Sequence, residues 1–278
     1  MKTSISMWSF HREIAGGRMD TSKFLLEAKR LGYKAVELLS YWTNTPEQIK
    51  QVLKETKDLG LKVSSFGASN DFALTGAELE PQVASVKKAI AAAVEFGAPI
   101  VRVFSANVKP GLDFDKALGM IVNGFKQVAP DAEAAKVTLA LENHGKLACR
   151  SEHVAAIIKN VGSPALKSTF DVGNFLIADE DPIHAATVLA KDVAHVHVKD
   201  HRWDGVEGEP PQVYVSIAGK KLWPEVIGEG QIDFVKIFKI LKKAGFKGYL
   251  SLEYEGNDPE PEGVYTSSQN LFKLAAQA

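Results

Sequence analysis

Residues 138–146, TLALENHGK, begin as a buried strand and end on a carboxylate, an amide and an imidazole in consecutive positions, Glu142, Asn143 and His144. Strand interiors favour branched and apolar side chains, so three polar groups in a row at a strand end ask for a cause. The pattern returns three times: STFDVGN (168–174) ends on Asp171 and Asn174, AHVHVKD (194–200) on His195, His197, Lys199 and Asp200, and YLSLEYEG (249–256) on Glu253 and Glu255. Four polar tips call for one arrangement that gathers strand ends.

Short apolar runs alternate with longer segments of helical period along the whole chain, the pattern of repeated βα units around a parallel sheet. Strands are predicted near Thr3–Phe10, Ala35–Leu39, Lys62–Phe66, Ile100–Phe104, Val137–Glu142, Lys167–Asp171, Ala194–Val198 and Tyr249–Glu253. Between them TSKFLLEAKRLGY, TPEQIKQVLKETKDLG and DFVKIFKILKKAGF place apolar residues three or four apart behind a Thr or Asp cap, and the final helix is expected in SSQNLFKLAAQA. Gly32, Gly60, Gly97 and Gly245 stand where left-handed caps would end helices. Eight such units without a linker predict an α/β fold, a closed (β/α)8 TIM barrel forming a single domain over residues 1–278. Neither G-x-G-x-x-G nor a Walker A loop is present. The segment 69–80 and the loop 201–231 exceed ordinary connections, and the second, with Trp203, Trp223, paired prolines and several glycines, is expected to act as a lid.

The 278 residues are 45% hydrophobic, enough for a sizeable core, and 33 Lys and Arg against 34 Asp and Glu give a formal charge of -1. That balance offers no global field for nucleic acid or an anionic membrane, so neither is an expected partner. The single cysteine, Cys149, excludes an internal disulfide, and no apolar run approaches a membrane span or a signal-peptide core. A soluble cytoplasmic protein is the expectation.

In a barrel of this kind the loops after the strands build the active site. Glu142, Asp171, His197 and Glu253 fall at the ends of the fifth to eighth strands, and alternation aims them at one point if those faces turn inward. Three uncompensated carboxylates held that close repel, and a divalent cation is the simplest compensation. Oxygen-rich ligands with one imidazole suit Mn²⁺, Mg²⁺ or Co²⁺, with Zn²⁺ also compatible. His195 reads as a core histidine or a group backing the site, and Glu255 as a solvated or ion-paired residue. Trp8 and His11 after the first strand, Phe66 and Asn70 near the end of the third, and Ser105 and Asn107 after the fourth are candidate substrate contacts. Glu37 and Arg102, ionic residues within strands, are expected to form an interior ion pair, with Arg102 alternatively an anion contact.

LENHG, FDVGN, HVHVKD, GEGQIDF and LSLEYEG, in this order, resemble the xylose isomerase-like TIM barrel superfamily and its sugar and sugar-phosphate isomerase/epimerase branch. The resemblance spans essentially the whole chain. It implies metal ligation by Glu142, Asp171, His197 and Glu253, with Glu142 and Glu253 as the catalytic acid/base pair used by ketose epimerases. It adds His144, Asn174, Lys199 and Arg202 to the substrate-binding residues. Asn174 stands where many members have histidine, and Trp203 rather than Arg202 occupies the place of an epimerase arginine. Lys199 is shared with dehydratase-like and sugar-phosphate-like members. The implied reaction is proton transfer beside a carbonyl of a ketose or polyol-ketone, through an enediolate that the cation stabilises. Return of the proton gives epimerisation or isomerisation, whereas loss of a β-hydroxyl gives the alternative, an inosose-type dehydratase. A non-catalytic sugar-binding barrel is a further alternative. An endonuclease IV-like repair enzyme fits poorly, because SSFGASND and VRVFSAN lack the extra histidines three metals need. The expected partner is a small carbohydrate, non-phosphorylated for want of a phosphate-gripping glycine loop, and relatives imply a homodimer or homotetramer.

Overall fold

The computed structural model describes residues 1–203 and 212–278. Eight parallel strands close into a barrel: β1 (Lys2–Ser6), β2 (Ala35–Leu39), β3 (Lys62–Gly67), β4 (Ile100–Val103), β5 (Thr138–Glu142), β6 (Leu166–Asp171), β7 (Val193–Val198) and, last in the chain, β11 (Tyr249–Leu252). β11 pairs with both β7 and β1, so strands from the two ends of the chain close the ring. The predicted first strand is too long. Ser6 accepts the Trp8 N–H on its side chain, and the chain turns there into a short 3₁₀ helix, Met7–Phe10.

The helices begin where the sequence supplies caps. Thr45 and Gln48 satisfy each other's backbone in a capping box ahead of Pro46–Leu59, and Asp233 accepts from Lys236 N–H ahead of Phe234–Lys243. Gly60 ends the first of these at φ 67°, a left-handed conformation in which a side chain is strained. The final helix starts seven residues earlier than expected, at Glu260, whose carboxylate receives the backbone N–H groups of Arg12 and Glu13 and ties it to the first loop. No helix among the described residues is long and apolar enough to cross a membrane.

Outward-facing strand residues such as Val36, Leu38, Val101, Val103, Leu139 and Leu141 are completely or almost completely buried under the helix layer. At about 25 cal/mol per Å² of apolar surface, this layer supplies the main drive to fold. Phe66 belongs to it. Its ring packs on Phe96 of the helix Leu79–Phe96, centroids 5.6 Å apart, because alternation along β3 turns Ser65 and Gly67 inward instead. The expectation of Phe66 as a substrate contact is therefore corrected.

Within the expected lid, β8 (Asp200–Trp203), β9 (Tyr214–Val215) and β10 (Lys221–Glu225) form an antiparallel sheet in the order β8-β10-β9. Residues 204–211 of that segment lie outside the described ones. Asp200 anchors the sheet's far connection by accepting the N–H groups of Gly228 and Gly230.

Two outcomes follow from this packing. A Cβ at Gly67 would run into the Leu39 side chain and the Arg102 guanidinium, so Gly67→Ala is expected to cost about 1–3 kcal/mol by overpacking, measured by urea unfolding. A cost near zero would mean that the β2–β4 interior is looser than the structure has it. Cys149 is fully buried, and burial pushes its thiol up to about 11. Its thiolate fraction in the native protein should be roughly two orders of magnitude below that of the unfolded chain. Labelling with a disulfide reagent is expected only after denaturant is added.

Candidate metal centre

Asp171 lies beside His197 in the β6–β7 ladder, His197 beside Ser251 in the β7–β11 ladder, and Glu142 beside Thr169 in the β5–β6 ladder. Glu253 follows β11, its N–H still bonded to the Val198 carbonyl. These registers bring one ligand-type atom from each of Glu142, Asp171, His197 and Glu253 within 4.8 Å of one another, all buried. His197 Nδ1 lies 3.6 Å from Glu142 Oε2, 3.7 Å from Asp171 Oδ2 and 3.4 Å from Glu253 Oε2.

Neighbouring groups fix each member. Asn143 and Asp171 exchange hydrogen bonds between side chain and backbone at 3.0 and 2.9 Å, stapling the end of β5 to that of β6. Asn174 donates its backbone N–H to Asp171 Oδ1 at 2.9 Å and its side-chain amide to Glu142 Oε1 at 3.3 Å. It thus orients two carboxylates, a role closer to the cluster than the substrate contact expected of it. Arg102 Nε lies 3.3 Å from Glu142 Oε2 while Nη1 donates to the Ala68 carbonyl and the guanidinium covers the Phe104 ring. The expected Glu37–Arg102 pair does not form. Glu37 instead contacts His195 Nε2 at 2.7 Å and His197 Nε2 at 3.0 Å, because its strand presents it to the interior opposite β7 and Arg102 reaches up to the strand-end layer. His195, fully buried, backs the cluster as expected.

The centre carries an excess of negative charge. Among the described residues, Glu37, Glu142, Asp171, Glu253 and Glu255 are buried together with only Arg102 and Lys199 as permanent cations. Burial pushes Glu142 up to about 7, with Glu253 and Asp171 adding to the rise against the pull of His197 and Arg102. Burial acts on Glu253 in the same direction but is outweighed by His197 and Lys199, which hold it well below the usual range. Burial disfavours the charged His197 ring, yet Glu253, Glu37 and Glu142 hold it well above the ordinary value. His197 Nδ1 is buried without a hydrogen bond, and Asp171 Oδ2 is held by its ion pair with Lys199. Surplus carboxylate, an unbonded imidazole nitrogen and a mixed oxygen–nitrogen set together fit a divalent cation.

Above the cluster opens a cavity of about 640 Å³, whose lining includes Glu142, Glu253, Lys199, Arg102, Trp8 and Trp42. Lys199 Nζ sits 2.8 Å from Glu253 Oε2, 3.0 Å from Asp171 Oδ2 and 3.3 Å from Glu255 Oε2. Trp8 donates its indole N–H to Glu255 at 2.8 Å and stacks between His11 and Trp42. Glu255, read from the sequence as solvated or ion-paired, is paired and nearly buried. Asn70 and His144 line the cavity, Asn70 bridging to the Phe104 backbone through both ends of its amide and His144 packing on the Phe104 ring. His11 stands behind Trp8, with Nδ1 2.8 Å from the Trp8 carbonyl, and is absent from the lining. Arg202 is also outside it. On β8 it lies diagonal to Glu225 of β10, and the two form an ion pair that draws the guanidinium away from the cavity. Tyr41, Trp42, Asp71 and Gln82 were not anticipated; the YW pair directly after β2 is the strand-end signal that could have found the first two. A second hollow of about 490 Å³, lined in part by Asp179, Pro182, Trp203 and Lys220, touches none of the clustered groups.

Comparison with known proteins agrees with the barrel fold. The inosose dehydratase of Clostridium perfringens is 28% identical over 141 residues, 50% of this chain and 47% of that protein. The chain spans about half the length of the curated relatives it matches. Among solved structures, the IOLI protein with a bound zinc atom superposes with a TM-score of 0.79 at 16% identity, covering 100% of this chain and 99% of that one. An L-ribulose 3-epimerase gives a TM-score of 0.76 at 18% identity, covering 99% and 95%. The family model for the xylose isomerase-like TIM barrel matches residues 25–274, and with the closed barrel this places the chain in that family.

Proposed function

We propose that this protein is a divalent-metal-dependent isomerase or epimerase acting on a ketose or related polyol-ketone by moving a carbon-bound proton beside the carbonyl. The observation that carries the reading is the convergence of Glu142, Asp171, His197 and Glu253 at the floor of a cavity of sugar size. Those four residues would hold the cation, which when bound supplies a Lewis acid that polarises the substrate carbonyl and its neighbouring hydroxyl. Glu142 and Glu253 reach the cavity from strands separated by β6 and β7, so one takes the proton and the other returns it. Trp8, held by Glu255, offers a flat apolar wall, and Lys199, Asn70 and His144 offer polar contacts for hydroxyl groups. Asp71, Glu142, Glu253 and Glu255 outweigh Arg102 and Lys199 in the lining, which favours an uncharged polyol over a phosphorylated one. The sheet β8–β10 is the cover in this reading, since Tyr214 on β9 donates to Glu255 at 3.1 Å. A cytoplasmic setting and a homo-oligomer belong to the same reading.

A second reading, a dehydratase, is favoured by Lys199. Its ammonium lies at the cavity wall between Glu253 and Glu255, placed to protonate a departing hydroxyl after proton removal, and a curated relative is an inosose dehydratase.

Metal analysis of purified protein is expected to find one divalent cation per chain, and Asp171→Ala to lose most of it. Unchanged metal content in the variant would remove Asp171 from the ligand set. A screen of ketoses and inososes with Mn²⁺, followed by NMR in D₂O, distinguishes the reactions. Epimerisation or isomerisation by carboxylate-borne protons puts solvent deuterium on the reacting carbon; dehydration yields a product short of one water. Product with neither change would point to hydride transfer between carbons. Glu142→Gln and Glu253→Gln are each expected to lower turnover by about 10²- to 10⁴-fold. Turnover within threefold of the parent in either variant would exclude that residue from proton transfer.

A further inference from the structure

Glu37 belongs to β2, is fully buried and does not line the cavity, so it cannot touch substrate. Its carboxylate nevertheless meets two imidazoles. Oε2 lies 2.7 Å from His195 Nε2, and Oε1 and Oε2 lie 3.0 and 3.1 Å from His197 Nε2. An ionised carboxylate only accepts hydrogen bonds, and even a protonated one could donate to a single ring. With the carboxylate ionised, both contacts require the imidazoles to supply the hydrogens, from Nε2 in each case. A ligating imidazole is neutral and carries one ring proton, so placing it on Nε2 leaves the Nδ1 lone pair for the cation. In His197 that Nδ1 is the atom facing Glu142, Asp171 and Glu253 at 3.4–3.7 Å, buried and without a hydrogen bond.

We propose that Glu37 is a positioning residue: by accepting Nε2–H it holds His197 in the ring orientation and tautomer that present Nδ1 to a divalent cation. The proposal rests on the metal-centre reading above. His195 completes the device from the other side. Its Nε2 occupies Glu37 Oε2, which keeps the carboxylate from rotating, while its own Nδ1 is buried without a partner, away from the cavity. The arrangement repeats, in the interior of this barrel, the general rule that a ligating histidine gives its other N–H to a carboxylate.

The test uses the full chain with Zn²⁺ and Mn²⁺ as probes. Glu37→Gln keeps the volume but replaces one acceptor oxygen with an amide donor, so the two imidazole N–H groups compete for the remaining oxygen. The variant is expected to bind Zn²⁺ and Mn²⁺ about 10- to 100-fold more weakly by calorimetry, while the metal-free protein keeps its circular dichroism and cooperative unfolding. Long-range ¹⁵N–¹H spectra of the Zn²⁺-loaded parent, labelled in histidine, are expected to place the His197 proton on Nε2 and zinc on Nδ1. Affinity within twofold of the parent, zinc on Nε2, or a second cation per chain held by Glu37, His195 and His197 would each overturn the proposal. The spectra of the parent decide the matter alone if Glu37→Gln does not fold. Should the parent take up neither ion, the metal-centre reading falls and this inference with it; should the parent bind and the variant match it, only the inference falls.

Discussion

Mutual repulsion among buried carboxylates is the constraint around which this barrel mouth is organised. Two like charges 4 Å apart cost about 4 kcal/mol at an effective dielectric of 20, and one oxygen from each of Glu142, Asp171 and Glu253 lies within 4.8 Å of the others. No local segment would adopt such an arrangement by itself. It persists because each carboxylate sits at the end of a strand whose ladder is already paid for by the apolar layer beneath the helices. Asn143 and Asn174 then fix the oxygens by uncharged hydrogen bonds, and Arg102 and Lys199 offset part of the charge. The remainder is what a divalent cation would offset in the reading proposed above.

The polar network divides into two tiers with different tasks. Glu37 and His195 form the lower one, inside the barrel and sealed from solvent, and they act on the ring of His197. Lys199, Glu255 and Trp8 form the upper one and border the cavity, and Tyr214 reaches Glu255 from the small antiparallel sheet, so that polar contacts join the chain after β1, β7 and β11 to that sheet. A ligand would meet only the upper tier. Chemistry at the centre would feel both.

The barrel and its four clustered residues were readable because both depend on local periodicity: alternation decides which face a residue takes, and the polar tip marks where a strand stops. Pairings across the barrel interior were not readable in the same way. Glu37 and Arg102 both face inward, but which inner residue each meets depends on stagger and height along the axis, and the ladder of β2 on β3 carries an irregularity between Val36 and Glu37 that shifts it further. Phe66 was misread by one step of alternation, and Arg202 because the strand β8 that carries it pairs outside the barrel. Trp42 reaches the site region from the connection after β2 and Tyr214 from a strand of two residues, too short for a period to place it.

Closure of the ring by β1 against β11 pairs Lys2 with Tyr249 and Ile5 with Leu252, residues almost the whole chain apart. Contacts of such separation form late, since the entropy of closing the intervening loop is spent before they give anything back. During synthesis the last barrel strand leaves the ribosome after every other one, and Glu253 arrives with it. A nascent chain therefore holds Glu142, Asp171 and His197 without their fourth companion until the barrel can shut. The crowding of charge is deferred to the step at which the whole cooperative structure becomes available to bear it.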